Sequence, residues 1–100
     1  MTQGPGCDVP SNASSCTASD GNCQSYWGAF SSDIVKGGCT APQTFSAAAC
    51  PTAGIAATCV HVPPNTENYA VFYPSKFPPE TLAVLKSSCE KSPGGTWCVQ

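Results

Sequence analysis

One hundred residues and 10.2 kDa allow one domain and leave no room for a large enzyme scaffold. Charged residues make up only 10%, with four Lys, no Arg and a net charge of −2, so a phosphate-tracking basic face is excluded and nucleic acid with it. No apolar run approaches the roughly 20 residues needed to cross a bilayer as a helix.

Hydrophobic residues reach 41%, but eight of them are Cys and twelve are Ala. Leu, Ile, Val and Phe together number fifteen, too few for an ordinary core. The cysteines stand at Cys7, Cys16, Cys23, Cys39, Cys50, Cys59, Cys89 and Cys98. An even count without a C-x-x-C pair argues for four disulfides and against a zinc site, and the pairing itself stays open among 105 possibilities. Disulfides place the chain outside the cytosol, as a secreted or cell-surface protein. The residues before Cys7 form no charged and apolar leader, so a secretory signal is expected to be already removed or supplied elsewhere.

In chain order, residues 1–24 are dense in Gly, Pro, Ser, Thr, Asn and Asp and read as loop and turn tied down by three cysteines. Apolar groups at Tyr26, Trp27, Phe30 and Ile34, followed by Gly37-Gly38, predict a short helix over 24–36. Residues 41–50 hold one helical turn or none, with Pro42 suited to a first helical position. Ile55–Val62 and Asn68–Tyr73 are β-rich runs separated by Pro63-Pro64-Asn65-Thr66-Glu67, and read as a hairpin. Pro79 to Lys91 is the best helix, with Glu80 at its start and Leu82, Leu85 and Cys89 on one face. Thr96–Val99 closes the chain as a short strand. No repeat period emerges, although C-x8-C occurs three times. The expected fold is therefore one small α+β, disulfide-rich domain over 1–100: a loop-rich N-terminal half, then a β-hairpin, a helix and a short closing strand.

Within residues 50–97, the run Cys50-Pro51, Ala57-Thr58-Cys59, Phe72-Tyr73-Pro74-Ser75, Cys89 and Gly94-Gly95-Thr96-Trp97 resembles a pattern of cysteine-rich secreted bacterial proteins and predicted lipoproteins. That family has no assigned activity, so the resemblance implies a bacterial source and a compartment, and no mechanism.

The chemistry-bearing residues are sparse. His61, the single imidazole, alternates with Val60 and Val62; if the valines face the core, His61 points to solvent or an interface. It has no second His to share a metal and no nucleophile motif beside it. The six carboxylates Asp8, Asp20, Asp33, Glu67, Glu80 and Glu90 are scattered singly. No catalytic residue, metal or cofactor is therefore expected. Aromatics carry more information. Trp27 and Trp97 read first as core, while Tyr69 and Tyr73 share one strand face and offer a platform, with Tyr26 and His61 as further interface residues. The uncharged, Ser- and Thr-rich surface favours close packing between copies. The leading expectation is a secreted, non-enzymatic structural protein that assembles with copies of itself into a surface layer or extracellular filament. The alternatives are a monomeric module gripping carbohydrate or another surface protein through exposed aromatics, and a small enzyme inhibitor.

Overall fold

Two-residue alternation, more than hydropathy, builds this fold. A computed structural model describes residues 7–99 and shows an α+β arrangement with six strands and two helices. The strands are β1 (Ser14–Thr17), β2 (Cys23–Gly28), β3 (Thr44–Ser46), β4 (Ile55–His61), β5 (Glu67–Pro74) and β6 (Gly95–Val99). Helices α1 (Ser32–Gly38) and α2 (Pro79–Lys91) follow β2 and β5. All pairings are antiparallel, in the order β3-β1-β2-β5-β4-β6.

Each face of the sheet has its own cover. On one face Cys23, Val60, Ala70, Phe72 and Cys98 pack with Cys50 into the core, and Val9, Ile55 and Trp27 lie against it. The irregular segments around Cys7 and Cys50 close that face, stapled by Cys7–Cys98 and Cys23–Cys50. Ser25, fully buried there, accepts a hydrogen bond from the Cys50 backbone N–H at 2.8 Å, so a polar side chain inside the core meets its obligation. Both helices sit on the other face, held by Cys16–Cys39 and Cys59–Cys89. Among the described residues, no helix is long and apolar enough to cross a membrane.

The C-terminal half follows the sequence pattern closely: β4 and β5 form the hairpin, α2 begins at Pro79 with Glu80 in its first turn, and β6 closes the sheet. The N-terminal half differs from its reading. Within residues 7–24, β1 and the start of β2 replace loop; residues 1–6 lie outside the described region. The helix expected over 24–36 is a strand to Gly28 and a helix only from Ser32. Tyr26 and Phe30 do meet, edge to face at 5.3 Å, but across the turn after β2 and not along a helix. Gly28 makes that turn, at φ 72°, and a Cβ there would strike the Thr66 carbonyl oxygen. Ala41–Pro42 is cis and leads into β3, so residues 41–50, read as one helical turn or none, contain a strand.

The structure also contains the repeat that the sequence hides. Residues of β1, β2, α1 and β3 form a β-β-α-β unit whose last strand pairs with its first, and β4, β5, α2 and β6 form another. The units meet antiparallel at β2 and β5, so an approximate two-fold axis runs through that seam. Cys16–Cys39 matches Cys59–Cys89, Tyr26 and Phe30 match Tyr73 and Phe77, and Phe45 matches Trp97. No single period relates them, because α1 has 7 residues and α2 has 13 and the two hairpins differ in length.

Two substitutions test this architecture. Ser25→Ala strands the buried Cys50 N–H and is expected to cost about 1–3 kcal/mol, lowering the melting temperature by roughly 4–8 °C per kcal/mol lost. Gly28→Ala, combining left-handed strain with collision, is expected to destabilise by at least about 1–2 kcal/mol in the same melting experiment.

Candidate functional site

The helix-bearing face collects all four residues that the sequence marked for binding. The register sets Tyr26 opposite Tyr69, and Tyr69 opposite His61, so one row of rings runs across β2, β5 and β4. Tyr69 stacks on His61 with centroids 4.3 Å apart and planes 13° apart, and lies 6.3 Å from Tyr26. Tyr73, four residues along β5 and on the same face, stacks on Trp97 at 5.7 Å and touches Phe77 at 6.2 Å. Tyr26, Tyr69, Tyr73 and Trp97 are all half-buried, and neither helix covers β2 and β5 at the centre. Trp27 and Trp97 part company: Trp27 packs against the core on the opposite face, as expected, whereas Trp97 joins the tyrosines.

His61 corrects one expectation. Val60 is fully buried while Val62 is 49% exposed, and His61 on the other side is only 9% exposed, because Cys89 of α2 and the Tyr69 ring enclose it. Its Nε2 lies 3.0 Å from Cys59 Sγ; a disulfide sulfur has no hydrogen, so the ring nitrogen is the donor. Burial away from water pushes the His61 pKa below its ordinary value. Burial likewise lifts the phenols of Tyr26 and Tyr73 above theirs, and the nearby Tyr69 adds to both shifts. The Tyr26 hydroxyl donates to Gln24 Oε1 at 2.5 Å.

Donor atoms of Cys59, His61 and Cys89 lie within 4.8 Å of one another, a spacing fit for a metal ion. Both sulfurs are joined in a disulfide, however, so the oxidised trio offers a metal only one imidazole nitrogen. The six carboxylates are all exposed.

Beside the tyrosine row, an open cavity of about 260 Å³ lies between α1 and the sheet. Tyr26, Phe30, Ile34, Val35 and the Cys16–Cys39 disulfide line it, Gln43 adds an amide, and no lining residue is charged. Ser31 positions α1 by accepting from the Ile34 N–H at 3.3 Å. Sequence reasoning missed Phe30, Ile34 and Val35 as a pocket. The available signal was the pair of Tyr-x3-Phe runs, Tyr26–Phe30 and Tyr73–Phe77, each beginning near the end of a strand and finishing in the turn after it. Comparison with family models, with curated proteins and with solved structures yields no match, so the resemblance of residues 50–97 stands on its short motifs.

The shifted groups give two pH predictions. His61 has a depressed pKa in the folded chain, so the unfolded chain binds its proton more readily. Stability is therefore expected to be full above about pH 6.5 and to fall as pH drops from there toward the folded-state pKa, a slope that His61→Gln removes in denaturant melts followed across that range. In alkaline titration, phenolate absorbance of the native protein should rise late, with Tyr26 and Tyr73 ionising above their ordinary 10.0 and recovering it on unfolding.

Proposed function

We propose that this protein is a secreted, non-enzymatic binding module that grips an uncharged partner, carbohydrate or protein, through the face carrying Tyr26, Tyr69, Tyr73 and His61. The observation that supports it is the continuity of that row of rings with an open pocket whose lining carries no charged side chain. Aromatic rings bury large apolar area with little loss of freedom, and an unpaired charge at the contact would carry a desolvation cost that these rings avoid. Four disulfides hold the rings in place before the partner arrives, which lowers the ordering cost of binding. The same bridges support the secreted reading, because disulfides persist in oxidising compartments.

Self-assembly is a second reading, favoured by the sheet edges. Neither β3 nor β6 carries a charge or an internal Pro, the usual devices against edge pairing. The two edges run in opposite directions, so a translated copy adds β6 to β3 antiparallel and propagates the sheet in an open, head-to-tail manner.

Light scattering on oxidised protein separates the two: a 10 kDa particle is expected from the binding reading, and growing particles from assembly. In titrations against glycan and peptide panels followed by Trp97 fluorescence, Tyr69→Ala is expected to weaken any ligand found by about tenfold. Binding untouched by Tyr69→Ala would sink the aromatic face as the contact surface.

A further inference from the structure

The two β-β-α-β units are built alike, and the likeness has one gap. In the C-terminal unit Trp97, the register partner of Cys59, reaches over the small Ala57 and stacks on Tyr73, with centroids 5.7 Å and planes 26° apart. The matching positions in the N-terminal unit are Phe45, the partner of Cys16, then the small Ser14 opposite Tyr26, then Tyr26 itself. Phe45 carries a smaller ring than Trp97, and among the described residues no ring contact joins it to Tyr26. Helix α1 has 7 residues where α2 has 13, so it roofs less of its half. Beside Tyr26, against Phe30 and the Cys16–Cys39 bridge, lies the cavity of about 260 Å³, whereas the matching Tyr73 is covered by its own unit's indole.

We propose that this cavity seats a flat, uncharged aromatic ring supplied from outside, the side chain of a Trp, Tyr or Phe in a protein partner, stacked on Tyr26 as Trp97 stacks on Tyr73. The proposal rests on the binding-module reading and gives its ligand a chemistry. The cavity is smaller than the roughly 300 Å³ at which pockets for drug-sized ligands begin, which matches one side chain. Its walls are two aromatic rings, two aliphatic side chains and a disulfide, and with no charge among them a charged group entering would lose its hydration uncompensated. Gln43 provides the one side-chain amide able to meet an indole N–H or a phenol. Ile34, 57% exposed, is part of the lining and stands open to solvent in the free protein.

The test is titration of the oxidised protein with N-acetyltryptophanamide, followed by NMR chemical shifts. Saturable shifts centred on Tyr26, Phe30 and Val35 are expected. Phe45→Trp, which supplies the missing ring from within, should weaken that binding at least about tenfold. Ile34→Asp, at a largely exposed position, should do the same by placing a charge in the lining, and it decides the matter if Phe45→Trp fails to fold. Absence of saturable binding to the wild type, shifts centred elsewhere, or full binding by Ile34→Asp would each overturn the ring seat. A parallel titration with methyl glycosides keeps the two levels apart. A glycoside that perturbs the His61–Tyr69 row while the tryptophan amide binds nowhere overturns this seat and leaves the module's binding role standing.

Discussion

A six-stranded sheet has two faces to cover, and this chain has too few large aliphatic residues to cover either by apolar burial alone. Four disulfides meet the shortage, two on each face. On one side they pin irregular segments over a core of Val60, Ala70, Phe72 and cystine sulfur. On the other they tether the two helices at the flanks. The uncovered centre of that second face is what remains for function, and tyrosines occupy it.

The two-fold arrangement explains why the bridges divide as they do. Cys16–Cys39 and Cys59–Cys89 each tie a helix to the first strand of its own unit. Cys7–Cys98 joins the segment before β1 to β6, and Cys23–Cys50 joins β2 to the segment before β4, adding covalent links to the hydrogen-bonded seam of β2 and β5. Two bridges thus set the helices, and the other two close the opposite face of the sheet.

How much of this was legible depended on which residues face inward. In β4 and β5 the inward groups are Val60, Ala70 and Phe72, so alternation of ordinary apolar residues exposed the hairpin, and Leu82, Leu85 and Cys89 exposed α2. In β1 and β2 the buried groups are Ser14, Ser15, Cys23 and Ser25, which hydropathy does not register as core. Tyr26, Trp27 and Phe30 then mimicked helical spacing, because a strand followed by a tight turn returns an aromatic to its neighbour as a helix would. Tyr69 and Tyr73 could be placed on one face from β5 alone; Tyr26 and His61 join them only through cross-strand register. The cavity was out of reach, since it requires knowing that Cys16 pairs with Cys39. The repeat was masked by unequal helices and turns, which give the matched pairs no common offset.

The bond between Cys7 and Cys98 encloses nearly the whole of the described chain within one covalent ring. Hydrolysis of any single peptide bond between those residues therefore opens the ring without releasing a fragment. The exposed turn at 64–66 offers a protease an obvious point of attack, yet a cut there leaves both pieces joined through the Cys7–Cys98 bridge and still paired along β4 and β5. In an extracellular setting rich in proteases, the molecule is built to survive being nicked, and a second cut is needed before anything is lost.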